Sequence, residues 1–467
     1  MSHVKKVCIV GGGVTGLSTA YYLTKNGIAV DLYEASERIG GKIKTYRKNG
    51  FVIEQGAESY ISRKPDLTDL AVEIGMKDDL VRNLTGQSFI YANGSLSPVP
   101  QNTILGVPTT KEAIQDTKLL SVRGKARALL DYQIPVVEMH GDISAGEFFK
   151  KRLGEEVATN MIEPLLGGVY STALDEMSLM ATYPFFKEEE ERYGSLIKGM
   201  YERKKRSQNT GVKAPVDKKQ GMFYQFKNGL ESFIDRLKEV IESQGGHIYL
   251  NTPVEKIEKH DDHYEVTVSN SKKEYSDVVV ATMHFAYKDL IDEPMLEYFK
   301  HMKATTVANI VLCFDESQVD NALDGTGFVI NRQEDDMAMT ACTWTNKKWA
   351  HSAPEGKALL RAYIGKPNNE TLNDLIKNGT DEEILEAVRR DLDKMMNITG
   401  EPEFHIITRM PDAAPNYLVG HKEMIDKIHA YLKENYKGLY LIGAPHYAVG
   451  LPDCVKAAKN TAYEIVD

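Results

Sequence analysis

Residues Gly11-Gly12-Gly13-Val14-Thr15-Gly16 have the spacing GxGxxG. Alone that spacing is weak, because many glycine-rich loops match it. Its neighbours sharpen it. Val7-Cys8-Ile9-Val10, just before it, is an apolar run suited to a strand buried on both faces. After it, Leu17, Ala20, Tyr21 and Leu23 recur at helical spacing, and Asn26-Gly27 ends the helix. A second strand is expected over Ala29 to Tyr33. In such a unit Gly11 permits a tight turn, Gly13 lets a pyrophosphate approach the backbone, and Gly16 allows close helix–strand packing. Gly12, Val14 and Thr15 complete a loop and first helical turn whose free N–H groups suit phosphate. Glu34, followed by Ala35, ends the second strand about twenty residues on. A carboxylate there accepts bonds from ribose hydroxyls and repels a 2′-phosphate. The chemistry is dinucleotide binding, with NADP disfavoured.

Arg38-Ile39-Gly40-Gly41-Lys42 adds a second glycine pair between two cations. Cation and bare backbone can reach phosphates from another side. With these residues in place, Glu34 to Gly41 resembles the ExxxRxGG segment of the amine-oxidase-like flavoproteins. The resemblance implies an α/β fold: a Rossmann-type FAD-binding domain, a mixed-sheet substrate domain and a helical subdomain. It implies FAD as cofactor. Gly56, Ala57, Glu58 and Ser59 are similar to the family's stretch beside the flavin. Val254 stands where the family contacts the adenine end through backbone. Met410, Gly443, Val449, Gly450 and Leu451 stand at the flavin edge, the last three opening the final helix. No cysteine stands at an obvious attachment point, so non-covalent binding is expected.

A narrower likeness rests on Thr85-Gly86-Gln87-Ser88, Glu163 to Tyr170, Thr343 to Trp349, Leu360 to Tyr363 and Val419-Gly420-His421. Together, nearly end to end, these resemble the Gram-positive coproporphyrinogen III oxidases. The likeness implies oxidation of coproporphyrinogen III to coproporphyrin III by O2, with release of hydrogen peroxide, in haem biosynthesis. It implies no dedicated catalytic residue, because the flavin carries the chemistry. Four propionates call for cations: Arg63 and Lys64 are the candidates, with Glu58 orienting Lys64. Val169, Tyr170 and Tyr363 are candidates to line the substrate cavity. His421 reads as a structural cap rather than a base. Some positions depart from the pattern: Met410 where relatives often carry Trp, Asn416 for Gln, and His446 in an otherwise small and aromatic stretch. Three other readings stay open: a protoporphyrinogen IX oxidase, an amine oxidase or carotenoid desaturase, and a non-catalytic flavin protein that docks a chelatase. The coproporphyrin ferrochelatase is the partner implied.

The elements that must position these residues follow from pattern. A cofactor domain is expected from 1–80, 220–285 and 405–467, and a substrate domain from 286–404 with parts of 81–100. A helical subdomain is expected over 101–200, and a Lys-rich loop over 204–220. The acidic run Glu188 to Glu191 reads as a solvated face. The apolar residues Ile104, Leu105 and Val107 read as exposed. The chain has 467 residues and a net charge of -10, which disfavours nucleic acid. Its four cysteines lack metal-ligand spacing, so no metal is expected. No leader and no membrane span is read from the sequence. The expected location is the cytoplasm, with membrane contact at most peripheral, at the cytoplasmic face.

Overall fold

The apolar run before the glycine loop is a strand, β1 (Lys6–Val10), in the computed structural model. Residues 5–84, 86–209, 220–320 and 323–467 are described. The chain divides into two compact units, one from 1–82, 222–302 and 423–467, the other from 83–221 and 303–422.

In the first unit β1 is central. Its neighbours are β2 (Ala29–Tyr33), β3 (His247–Tyr249), β4 (Asp277–Val280) and β5 (Leu439–Leu441). Among the described residues these form a sheet of order β3-β2-β1-β4-β5, every pairing parallel. Helix α1 (Val14–Lys25) follows the glycine loop and is buried from Val14 to Thr24. It packs between α2 (Leu230–Ser243) and α3 (Leu451–Val466). A helix buried on all sides needs its polar groups satisfied. Thr19 and Thr24 do this by donating to the carbonyls of Thr15 and Ala20, each at 2.9 Å. Helix α2 shows the simpler pattern: Leu230, Phe233, Ile234, Leu237 and Ile241 face the core. Each such side chain contributes about 1.5–3 kcal/mol by burial. The buried Glu54 carboxylate accepts from the Leu230 N–H at 2.6 Å, an acid placed at the positive end of α2.

The second unit is built on a mixed sheet, with seven strands among the described residues. Ala304–Asp315, second from one edge, is paired antiparallel to Lys357–Ile364 on one side and to the edge strand Phe404–Pro415 on the other. One face packs its alternate residues Ile310, Leu312, Leu360 and Ala362 in a core with Leu372, Ile376, Ile384 and Val388. A separate helical core gathers Phe148, Phe149, Ile162, Phe186 and Ile197.

Several expectations are corrected here. Residues 405–422 fall in the second unit, because Phe404–Pro415 hydrogen-bonds along Ala304–Asp315. Residues 286–302 fall in the first, where Tyr287 and Phe299 are fully buried. Residues 204–209 continue the helix Leu196–Asn209 rather than starting a loop, and 210–219 lie outside the described residues. Within Glu188 to Glu191, Glu189 and Glu190 are buried. Four consecutive helical residues span the whole circumference, so two must turn inward. Glu190 is met by Lys187 at 2.6 Å and Arg152 at 3.4 Å. Val107 is fully buried, and Ile104 and Leu105 pack partly against the helical core.

Candidate functional site

In parallel α/β sheets ligands bind outside the carboxyl ends of the strands. Here the ends of β1, β4 and β5 lead into Gly11, Thr282 and Gly443. Gly11 donates its N–H to the Tyr33 carbonyl at 2.8 Å and adopts φ +107°, open to glycine but not to an ordinary side chain. A Cβ on Gly16 would land on the Gly11 carbonyl oxygen. At Gly13 the opposite holds: a Cβ would meet nothing within 4 Å. Open space over bare backbone is what a phosphate needs. Gly13 is also the N-cap of α1, which has neither a side-chain cap nor an acid in its first turn. A helix start of this kind is the arrangement that suits an anion.

The second glycine pair lies directly on the first. The Gly40 N–H donates to the Gly12 carbonyl at 2.8 Å, and a Cβ on Gly41 would sit 3.3 Å from the Gly13 Cα. Arg38 holds this loop rather than a ligand: it donates to the carbonyls of Ile39, Gly41 and Ile43. The Glu34 carboxylate accepts from the Gly12 N–H at 2.7 Å and from the Ser36 hydroxyl at 2.7 Å. It closes the loop from the strand end, beside the exposed Ala35. Thr252 and Asn251 donate to the carbonyls of Glu34 and Ser36, each at 2.9 Å, so the segment leading to Val254 is laced to the acidic strand end. Lys42 is open to solvent, yet the protein around it desolvates its ammonium and lowers its pKa. Gly56 lies against Lys42, where a Cβ would strike the Lys42 carbonyl. Ala57 packs on the core of the unit, and Glu58 and Ser59 are half-buried.

The start of α3 comes to the same place. Gly450 is its N-cap, without a side-chain cap, and Val449 and Leu451 flank it half-buried. Cys454 is hydrogen-bonded to Thr15, so the first turns of α1 and α3 touch; burial pushes its thiol up to about 11, which keeps it protonated and inert. Gly443 also faces Thr15. Lys64, read from sequence as a propionate cation, holds both oxygens of Asp453 at 2.7 and 2.6 Å. Arg63 is exposed.

Other candidates lie in the second unit. Tyr363 is half-buried on Lys357–Ile364, opposite Asn309 and Ala341, with the Arg361 guanidinium 5.2 Å from its ring. Arg361 is buried and was not singled out from the sequence. Met410 is half-buried opposite Val307. Val169 is in the helix Glu163–Tyr170, but its side chain lies outside the described residues, as does Thr85. His421 is buried, stacked on Tyr417 at 4.3 Å between ring centroids, and begins the helix His421–Asn435. Among the described residues no group of three or more His, Cys, Asp or Glu is placed to hold a metal ion.

Comparison with known proteins bears on these geometries. The family of flavin containing amine oxidoreductases matches residues 14–466. A coproporphyrinogen III oxidase of Staphylococcus aureus is 46% identical over 99% of both chains. One of Bacillus subtilis is 41% identical over 98% of this chain and 97% of its own. The chain belongs to this flavin-dependent family, among its coproporphyrinogen III oxidases. A crystal structure from Exiguobacterium sp. 255-15, provisionally assigned as a protoporphyrinogen oxidase, superposes with a TM-score of 0.87 at 37% identity, covering 100% of this chain and 99% of that one.

Proposed function

We propose that the chain binds FAD non-covalently and uses it to oxidise coproporphyrinogen III to coproporphyrin III, with O2 as acceptor and hydrogen peroxide as product. The observation that carries this reading is identity above 40% with two coproporphyrinogen III oxidases over nearly the whole chain. The site fits the cofactor. Gly13 offers open backbone, and α1 an uncapped positive end. Glu34 stands where ribose hydroxyls would be met.

Bound flavin supplies the acceptance of two electrons at a time, three times per porphyrinogen. The chain's own residues bind, orient and exclude water. Gly11 to Gly16, Gly41 and Lys42 would hold the pyrophosphate. Glu34, Ala35 and Val254 would hold the adenosine end. Gly56 to Ser59, Gly443 and Val449 to Leu451 would border the ring. Tyr363 and Val169 would line the substrate cavity. Arg63 and Lys64 remain the propionate cations to test, and Lys64 would exchange the Asp453 carboxylate for one of the substrate. A cytoplasmic setting is in keeping with four buried cysteines, none in a disulfide. No helix among the described residues is long and apolar enough to cross a membrane. Membrane contact would be at most peripheral, and a ferrochelatase that takes up coproporphyrin is the partner to expect.

Protoporphyrinogen IX is the second substrate to test, because a chloroplastic protoporphyrinogen oxidase of Arabidopsis thaliana is 31% identical. Aerated enzyme given each porphyrinogen separately, with porphyrin fluorescence and peroxide followed together, decides between them. Faster formation of coproporphyrin supports the proposal. Preference for protoporphyrinogen overturns the substrate.

A further inference from the structure

The parallel sheet of the first unit ends at β5, and no further strand borders its outer edge among the described residues. Doubly wound sheets commonly carry a sixth strand at that place. Here a surface cleft of about 460 Å³ takes its position, with the edge of β5 as its floor. One wall is the end of the helix His421–Asn435, with Lys433 and, just beyond the helix, Lys437. The other is α3, with Thr461 and Glu464. Leu432 and Ile442 add apolar surface.

The backbone of this edge is half used. The Val278 N–H donates to the Gly438 carbonyl at 2.8 Å, and the Ile442 N–H to the Val280 carbonyl at 3.1 Å. Alternate residues of a strand point their backbone groups to opposite sides, so Leu439 and Leu441 point theirs away from β4 and into the cleft. The Leu439 N–H is taken by the Tyr436 carbonyl at 2.9 Å. The Leu441 carbonyl is taken by the His429 ring, whose other nitrogen meets His446 at 2.9 Å. Left over among the described residues are the Leu439 carbonyl and the Leu441 N–H. An antiparallel neighbour bonds both groups of one residue, and neither leucine has both to give. A parallel neighbour bonds the carbonyl of one residue and the N–H of the next but one, which is the pair that remains.

Charge selects the occupant. Lys433 and Lys437 are exposed, and neither forms an ion pair with a described residue. They stand out in a chain of net charge -10. Glu464 is on the opposite wall, so acids suit only the side of an occupant that turns toward the lysines. Successive side chains of a strand alternate between its two faces. We propose that the cleft takes an extended segment of a partner protein, added parallel to β5. Its acidic side chains, at alternate positions, meet Lys433 and Lys437, and its uncharged ones meet Thr461 and Glu464. Main-chain bonds to the sheet edge supply affinity in this mode, and the alternate side chains supply specificity. The added segment extends the parallel sheet by one strand and covers the only backbone groups that β5 leaves open among the described residues.

The test uses the full chain as purified and a fluorescein-labelled peptide of alternating glutamate and valine, about six residues long. Binding is followed by anisotropy, and amide hydrogen exchange over residues 438–442 by mass spectrometry. Strand addition predicts saturable binding and slowed exchange over 438–442. Lys433→Glu combined with Lys437→Glu should weaken binding about tenfold or more, because like charges then face each other. The same peptide with lysine in place of glutamate, and one with a methylated backbone, should not bind. Absence of saturable binding overturns the site. Binding that survives backbone methylation, or that leaves exchange over 438–442 unchanged, is charge attraction alone and overturns strand addition. Slowed exchange that appears without peptide as protein concentration rises, together with a dimer in light scattering, makes a second copy of the chain the occupant and overturns the acidic partner.

Discussion

Gly13 and Gly16, three positions apart, do different work at the residue scale, and substitution separates them. Gly16→Ala forces a methyl onto the Gly11 carbonyl oxygen. It should destabilise the apoprotein by about 1–3 kcal/mol, the usual cost of overpacking, measured by urea denaturation. Gly13→Ala meets no protein atom within 4 Å. It should leave the apoprotein's urea midpoint unchanged while flavin retention on dialysis falls sharply. An equal loss of stability in both would show that Gly13 is a packing glycine. His429 gives a pH prediction. Burial lowers its folded pKa, whereas the unfolded chain titrates near 6.5. Above that pH both states are neutral and the stability is complete. Below it the unfolded chain binds the proton first, so stability is lost as pH falls towards the folded pKa. His429→Gln should flatten the dependence of the urea midpoint between about pH 6.5 and 5. The GxGxxG and Glu34 were legible because their chemistry is local. The Lys64–Asp453 pair was not, because it joins residues distant in sequence and no local pattern marks it.

At the scale of elements, period decided what could be read. The buried face of α2 follows from helical spacing of Leu230, Phe233, Ile234, Leu237 and Ile241, and the structure buries those five. The run Glu188 to Glu191 misled because charge was weighed without period. Its buried members are held by partners on other elements: Arg152 and Lys187 for Glu190, Arg203 and Arg206 for Glu189. The N-terminus of α2 carries its own prediction. Glu54 accepts from the Leu230 N–H and from the Thr45 hydroxyl at 2.9 Å. Glu54→Ala removes the cap and leaves both donors buried, which should cost about 1–3 kcal/mol. A urea midpoint equal to the unaltered protein's would show that water replaces the carboxylate at no cost.

At the scale of the whole molecule, the chain runs through each unit more than once, so each core is assembled from segments distant in sequence. Composition and strand spacing indicated a split cofactor region, but not its limits: the limit near 405 was missed because Phe404–Pro415 reads as a generic strand until its pairing is known. The helical part of the second unit is tied by a fully buried Asp131–Arg152 pair at 2.6 Å, with Asp131 also accepting from Ser195 at 2.5 Å. Asp131→Ala leaves the buried Arg152 guanidinium with Glu190, 3.4 Å away, as its remaining carboxylate, with an expected loss of about 3–5 kcal/mol in the unfolding of the second unit. A loss well under that would mean that Glu190 and the neighbouring carbonyls suffice for Arg152. The claim on which the whole account depends is that substrate electrons pass to a cofactor held on the glycine loops. The most direct measurement is anaerobic mixing of the purified yellow protein with coproporphyrinogen III, following the flavin absorbance. The account predicts bleaching in step with the appearance of coproporphyrin, and return of the yellow form on admission of oxygen. A flavin band that keeps its full absorbance would contradict it and leave a flavin-binding protein that does not oxidise porphyrinogens.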